Sequence, residues 1–297
     1  MKINVKKINA FTDKKSGGNP AGLVLLDSLD LSEKQMSYVS KVLKVSETAF
    51  VSPGLNSDYK VLFFSPEVEV DLCGHATIAT FFYMASEGFI KKNKVTQETK
   101  AGALPVEIEF DRNKKVKKVM MSQAKVILKD ISLDISNISN SLNISKGEID
   151  FSLPQQIVST GLFTLPICVN SFNILKNIRP NFEKIKKYCN KINVGSFFVF
   201  TFDTIGTNSV YHARCFAPVF GVNEDPVTGT SNGALCSYLT KNKIVKGSEF
   251  ICEQGDIIGR QGRVYVNIKN DKVKVGGRAK LVEEKVLDLK DILKDIY

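Results

Sequence analysis

The chain has 297 residues, of which 43% are hydrophobic and 24% are charged. This composition is typical of a globular protein with a substantial core, and it excludes a disordered or fibrous chain. The formal net charge of +10 comes mostly from lysines scattered along the whole sequence, which favours a solvated basic surface over a nucleic-acid-binding segment.

Targeting, membrane and metal signals are missing from the sequence. Residues 1–9 alternate polar and apolar side chains, as a strand does, and lack the apolar run of a signal peptide. No run approaches the roughly 18 apolar residues of a membrane helix, so we expect a cytoplasmic protein without a membrane partner. The six cysteines are widely spaced and are expected to be thiols. Neither of the two histidines has the ligand spacing of a structural zinc site, so no metal is expected.

Many short strands and few helices are predicted, which indicates an α+β fold rather than a doubly wound α/β fold. Strands are predicted at 3–10, 22–27, 59–65, 105–110, 116–121, 155–160, 197–202, 209–216, 248–253, 263–268 and 272–276. Helices are predicted after Ser32, near Gly74, near Gly229, at 181–191 and at 287–296. Ser32 and Gln35 form a capping-box pattern at the first of these.

A polar stretch at 122–150 suggests a boundary between two domains. We therefore predict an N-terminal domain at 1–122, possibly joined by the tail 285–297, and a C-terminal domain at 123–284. An internal similarity supports two related halves, since residues 69–76 align without a gap with residues 224–231. A chance match of so short a segment is the alternative.

Each aligned segment leads into an apolar helix through a glycine, Gly74 in one half and Gly229 in the other. The first turn of a helix has unpaired N–H groups and a partial positive charge, so two such starts can bind the anionic oxygens of a substrate. The alternative is that both glycines only permit tight turns. The residues alone do not separate these two interpretations.

Three side chains near these segments are candidates for moving protons. His75 lies in the first turn of one helix, and Asp225 precedes the other. Glu47 lies in the apolar run 45–51, where a carboxylate that faces an apolar pocket would have a raised pKa and suit acid/base catalysis. The alternative is that Glu47 faces water on an edge strand.

Residues 229–233 fit the Gly-x-Ser-x-Gly pattern of serine hydrolases, with Ser231 as the nucleophile. The residues before it, 223–226, read as a poor strand, and no histidine follows His212. The usual order of the triad cannot be built, so a hydrolase is the less favoured alternative.

Ordered motifs along almost the whole chain resemble the PhzF-like phenazine-biosynthesis isomerase family, which has a diaminopimelate epimerase-like fold. These motifs occupy residues 11–12, 17–22, 46–50, 71–77, 214–218, 221–230, 253–255, 259–260 and 275–277. The resemblance implies two pseudo-symmetric domains, each a curved, mostly antiparallel sheet or barrel around a central helix. It also implies an active cleft between the domains and a homodimer.

The resemblance further implies that Glu47, His75 and Asp225 are catalytic. Thr230 matches a small hydroxyl residue of the family, and Gly74, Ala76, Gly229 and Ser231 belong to the two helix starts expected to bind substrate. Cys73 matches the first thiol of the epimerase relatives, but Thr228 stands at the second position, so a two-thiol mechanism is disfavoured. Cys73 stays a candidate for contact with substrate, and a packing role is the alternative.

The sequence therefore predicts a cofactor-independent isomerase that moves a proton on a small carboxylate-bearing metabolite. A binding protein without catalytic activity that captures an anionic metabolite is the alternative.

Overall fold

Residues 2–27 and 31–288 are described by the computed structural model, and they form strands and helices in a mixed α+β arrangement. The strands are β1 Lys2–Ala10, β2 Asn19–Leu25, β3 Thr48–Pro53, β4 Tyr59–Phe64, β5 Glu69–Val70, β6 Lys94–Thr99, β7 Gly102–Phe110, β8 Val116–Ser122, β9 Ile127–Asp130, β10 Gln156–Ser159, β11 Phe163–Cys168, β12 Ser196–Thr201, β13 His212–Ala217, β14 Val222–Asp225, β15 Glu249–Gln254, β16 Gly262–Lys269, β17 Lys272–Gly277 and β18 Ala279–Asp288. The helices are α1 Glu33–Leu43, α2 Gly74–Ser86, α3 Ile135–Leu142, α4 Phe172–Asn177, α5 Phe182–Ile192 and α6 Gly229–Lys241.

The chain divides into a first unit, Met1–Ser122 with Gly276–Tyr297, and a second unit, Gln123–Val275. The sequence placed the return to the first domain after residue 284. In the structure β18 pairs antiparallel with β1 from Ala279 to Asp288, so residues 279–284 lie with the first unit.

In the first unit strands of the sheet pack against α2. The strand pairs β1–β2, β3–β4, β6–β7 and β7–β8 are antiparallel, whereas β2–β3 and β4–β6 are parallel. Helix α2 packs against β1, β2, β3, β7, β8 and β18. It is apolar on nearly all sides, as the sequence GHATIATFFYMAS shows, and a helix of this kind is stable only when it is buried.

The second unit repeats this order of pairings. Strands β10–β11, β12–β13, β13–β14 and β15–β16 are antiparallel, and β11–β12 and β13–β15 are parallel. Its central helix α6 packs against β10, β11 and β16. Both central helices have 13 residues and each follows a short strand, β5 or β14. The internal similarity in the sequence therefore reflects two structurally related halves.

Local sequence signals account for several elements. Ser32 and Gln35 form the predicted capping box of α1, and Lys44 ends that helix in the left-handed conformation. Helices α3, α4 and α5 of the second unit bury their apolar faces in a core with Leu165, Phe197 and Phe216.

Some elements were not predicted from the sequence. These are α3, α4 and the strands β3, β5, β6, β9, β11, β14 and β18. The helix predicted at 287–296 is wrong at its first two residues, which belong to β18, and its remainder lies outside the described residues. Among the described helices, none combines the length and the apolar character needed to cross a membrane.

Candidate active site

Glu47 is held by the backbone immediately before β3. The N–H of Gly22 in β2 donates to the Glu47 carbonyl at 3.0 Å. A Cβ at Gly22 would lie 2.3 Å from Oγ1 of Thr48, so only glycine allows this close approach of β2 to β3. The glycine in the 17–22 motif thus helps to fix the position of Glu47.

The Glu47 carboxylate lies beside two side chains from the start of α2. The Cys73 thiol donates to Glu47 Oε2 over 3.6 Å, and His75 Nε2 lies 3.4 Å from the same oxygen. Cys73 Sγ is in turn 3.4 Å from His75 Nδ1, and Ser46 Oγ is 3.4 Å from His75 Nε2. Glu47, Cys73 and His75 therefore form one cluster, to which Ser46 adds a hydroxyl that the sequence analysis missed.

The sequence offered two surroundings for Glu47, an apolar pocket or an edge strand that faces water, and the structure shows neither. Strand β3 pairs with β2 on one side and β4 on the other, so Glu47 does not precede an edge strand. Its side chain is 23% exposed, and it faces a thiol and an imidazole rather than a purely apolar pocket. A carboxylate with a thiol and an imidazole within reach can both accept a proton and pass it on.

The start of α2 offers backbone donors to a ligand. Its N-cap residue, Cys73, makes no side-chain hydrogen bond to the first turn. The peripheral helices α1, α3, α4 and α5 are capped by Ser32, Asp134, Ser171 and Asn181. A helix start without a side-chain cap leaves N–H groups in the first turn that can donate hydrogen bonds to an anion.

The glycine at the start of α2 is not explained by a tight turn. Gly74 does not have a positive φ, and a Cβ built on it would meet only Met121 Sδ, at an ordinary 3.6 Å. The fold therefore tolerates a side chain at this position, which favours close approach of a ligand as the reason for glycine.

Helix α6 of the second unit also begins without a side-chain cap, because Thr228 makes no such bond to the first turn. The Thr228 hydroxyl instead donates to the Asp225 carboxylate. Gln254, which is 1% exposed, accepts from the Thr228 N–H at 3.0 Å and donates to the Asp225 carbonyl at 2.9 Å. It also accepts from Asn232 Nδ2 at 2.8 Å.

Gln254 therefore ties β14, the start of α6 and β15 together, and the sequence analysis did not single it out. Its place in the motif at 253–255 was the feature of the sequence that pointed to it. The remaining candidates of this unit lie in the first turn of α6: Gly229, Thr230, whose carbonyl accepts from Thr160 Oγ1 at 3.1 Å, and Ser231, which is 8% exposed. The strand β14 precedes them, contrary to the prediction of a poor strand at 223–226.

Among the described residues at the start of α6, Thr228 stands where α2 has Cys73, so this helix start has no equivalent thiol. Burial raises the pKa of the neighbouring Cys215 thiol to about 12, with a further contribution from the Asp225 charge. Such a thiol is inert at neutral pH. His212 is engaged in a different interaction. It is fully buried, and its Nδ1 lies 3.0 Å from Glu253 Oε2.

The structure thus brings Glu47, Cys73, Gly74, His75 and Ala76 together in the first unit. Asp225, Gly229, Thr230 and Ser231 are grouped in the second unit. A single site formed by both sets stays a prediction.

Comparison with known proteins now identifies the family. The family model described as phenazine biosynthesis-like protein, PhzC-PhzF, matches residues 8–285. The chain belongs to the PhzC-PhzF family. An uncharacterized isomerase of Clostridium acetobutylicum is 34% identical over 95% of this chain and 96% of its own length. The crystal structure of a PhzF-family protein of Bacillus anthracis has a TM-score of 0.88 and 31% identity over 97% of this chain and 99% of that one.

A hydroxyproline epimerase of Agrobacterium vitis shares the fold at a TM-score of 0.60, with 12% identity over 96% of this chain and 91% of that one. This last likeness shows that the PhzC-PhzF chain has an epimerase-like fold. The chain is an isomerase on the evidence of its curated relatives, which are named isomerases. The expected α+β architecture and the resemblance drawn from the motifs are confirmed.

Proposed function

We infer that this isomerase moves a proton on a small carboxylate-bearing metabolite, with Glu47 as the acid/base. The observation that carries this inference is the position of Glu47 Oε2, which lies 3.6 Å from Cys73 Sγ and 3.4 Å from His75 Nε2 at the uncapped start of α2. Proton-transfer groups and anion-binding donors therefore occur side by side.

The reaction needs proton transfer and no net electron transfer. Glu47 takes a proton from a substrate carbon as the C–H bond breaks, and the electron pair that remains moves into the neighbouring unsaturated group. Glu47 then returns the proton to another atom, where a new bond forms. His75 orients the Glu47 carboxylate and relays the proton, because its Nε2 lies 3.4 Å from Glu47 Oε2.

The helix starts supply the charge stabilisation. The first-turn N–H groups at Gly74, His75 and Ala76 would bind the substrate carboxylate or the oxyanion that develops during proton transfer. In the same proposal the start of α6, with Gly229, Thr230 and Ser231, supplies a second set of donors, and Asp225 contacts substrate. The resemblance to the family motivates this second contribution.

Incubation with candidate carboxylates in heavy water tests the proposal. We expect deuterium to appear at a carbon of substrate or product, and NMR measures its incorporation. A protein that binds an anionic metabolite without catalysis would retain it and leave every carbon-bound hydrogen unexchanged, and that outcome would contradict the isomerase mechanism.

The serine-hydrolase alternative makes a separate claim. It requires covalent labelling of Ser231 by a fluorophosphonate, and the buried position of Ser231 within the first turn of α6 argues against this. Labelling at Ser231 would replace the proton-transfer proposal with acyl transfer.

A further inference from the structure

The cluster at the start of α2 contains one oxygen, one sulfur and one nitrogen donor from three side chains. The ligand atoms of Glu47, Cys73 and His75 all lie within 4.8 Å of one another. The individual separations are 3.4 Å between His75 Nε2 and Glu47 Oε2, 3.6 Å between Cys73 Sγ and Glu47 Oε2, and 3.9 Å between Cys73 Sγ and His75 Nε2.

These separations are close to those within a zinc coordination sphere. Tetrahedral zinc binds sulfur at about 2.3 Å and nitrogen or oxygen at about 2.0–2.2 Å, which places neighbouring ligand atoms roughly 3.3–3.6 Å apart. The separations from Glu47 Oε2 already match this range, but an ion bound to Nε2 also requires the His75 ring to rotate, because Cys73 Sγ lies nearer to Nδ1, at 3.4 Å, than to Nε2, at 3.9 Å.

We propose that Glu47, Cys73 and His75 form a binding site for one thiophilic divalent cation, such as Zn²⁺, which inhibits the isomerase. Thiolate and imidazole ligands favour such ions over Mg²⁺ or Ca²⁺, which prefer oxygen ligands alone. Three protein ligands leave a fourth coordination position for water or for the nearby Ser46 hydroxyl, whose oxygen lies 3.4 Å from His75 Nε2.

The cation can reach the cluster and can form its bond to sulfur there. The side chains of His75 and Glu47 are 13% and 23% exposed. The positive end of α2 weakly opposes a cation. The bond between the metal and the Cys73 sulfur is much stronger than this opposition.

Inhibition follows from the shared atoms. A cation bound to Glu47 Oε2 occupies the oxygen that the proposed mechanism uses to accept a proton, and it also immobilises His75. Binding itself does not depend on that mechanism, so it is measured without any substrate. If Glu47 proved not to be the acid/base, the binding data alone would still decide whether the metal site exists.

Cobalt titration of the full-length reduced protein tests the site, because Co²⁺ reports a bound thiolate through a charge-transfer absorption band. We expect one Co²⁺ per chain, a thiolate band, and displacement of Co²⁺ by Zn²⁺. Cys73→Ser should remove the band, and His75→Ala should weaken binding by at least roughly 10–100-fold. Asp71→Asn is the matched control, since this carboxylate lies two residues from Cys73 and its side chain is 71% exposed. It should bind Co²⁺ as the wild type does.

Two results would overturn the proposal. One is the absence of a thiolate band in the wild-type protein at saturating Co²⁺. The other is a band that persists in Cys73→Ser, which would place the bound metal on a different cysteine. Circular dichroism and thermal unfolding of each variant establish that loss of the band reflects loss of a ligand rather than loss of the fold.

Discussion

The thiol of Cys73 donates to the carboxylate of Glu47 over 3.6 Å, although 26 positions separate the two residues in the chain. The contact joins the segment before β3 to the start of α2. It gives Cys73 a specific position beside the proposed acid/base, and we propose that the thiol orients the carboxylate without carrying the proton itself.

Substitution of Cys73 distinguishes an orienting thiol from a proton carrier. We expect Cys73→Val to lower kcat/KM by roughly 10–100-fold, because a hydrogen bond to a charged group is lost. Cys73→Ser retains a shorter donor and should fall between Cys73→Val and the wild type. Steady-state kinetics measures the losses. A loss in Cys73→Ser as large as that in Glu47→Gln would show that the thiol itself transfers the proton.

The glycine at the start of α2 should matter for activity rather than for folding. We expect Gly74→Ala to change the free energy of unfolding by less than about 0.5 kcal/mol, since its Cβ meets only an ordinary contact. Activity should fall because the added methyl group stands in the path of the substrate anion. Urea unfolding and kinetics on the same preparation separate the two effects.

Gly276 provides the contrasting control. A Cβ at this position would lie 1.9 Å from the carbonyl oxygen of Val119, so Gly276→Ala should destabilise the protein by about 1–3 kcal/mol. If Gly74→Ala proved equally destabilising with unchanged activity per folded molecule, Gly74 would be a structural glycine.

Gln254 should be essential for the stability of the second unit. Gln254→Leu leaves the buried Asn232 side chain and the Thr228 N–H without the acceptor they share. Each unsatisfied buried group costs about 1–3 kcal/mol, so we expect a total loss of at least about 2 kcal/mol in the free energy of unfolding. Denaturant unfolding measures this loss, and a change below about 0.5 kcal/mol would show that the network reorganises without cost.

The buried carboxylate of Glu253 should make stability depend on pH under acidic conditions. Burial raises its pKa, but hydrogen bonds from His212 and from the N–H groups of Ile205 and Gly206 outweigh this effect and lower the pKa from 4.5 to about 2. A lowered pKa stabilises the folded state above pH 4.5, and that contribution is lost as the pH falls toward 2. It amounts to about 3 kcal/mol.

Glu253→Gln removes this titration. The difference in unfolding free energy between the wild type and the variant should therefore shrink as the pH falls from about 4.5 to 2. Unfolding curves at several pH values measure the difference. Two parallel pH profiles would contradict the assignment of the low pKa to Glu253.

The sequence predicted the parts of the fold that depend on local patterns. The capping box of α1, the apolar helix α2 and the aligned starts of α2 and α6 follow from residue types at fixed spacing. Helix α3 was missed because its sequence, ISNISNSL, lies in a polar segment. Its apolar face becomes evident only when Ile138 and Leu142 pack in the core of the second unit.

The candidate site was predicted in part. Glu47 and His75 were both named as candidates from the sequence, and the structure places them 3.4 Å apart. Their catalytic roles stay a prediction. The environment of Glu47 was not predictable, because Cys73 and Glu47 are brought together only when the three strands between them, β3, β4 and β5, pair with one another. For the same reason the donor set of Glu47, Cys73 and His75 does not show as a metal-ligand spacing in the sequence.

The most direct test of the proposed function compares deuterium incorporation from heavy water by the wild type and by Glu47→Gln, with a substrate that the wild type exchanges. Glu67→Gln, which alters an exposed glutamate, is the control and should match the wild type. We expect Glu47→Gln to exchange about 100- to 10,000-fold more slowly while keeping the wild-type circular dichroism spectrum. Exchange by Glu47→Gln at the wild-type rate would contradict the acid/base role of Glu47.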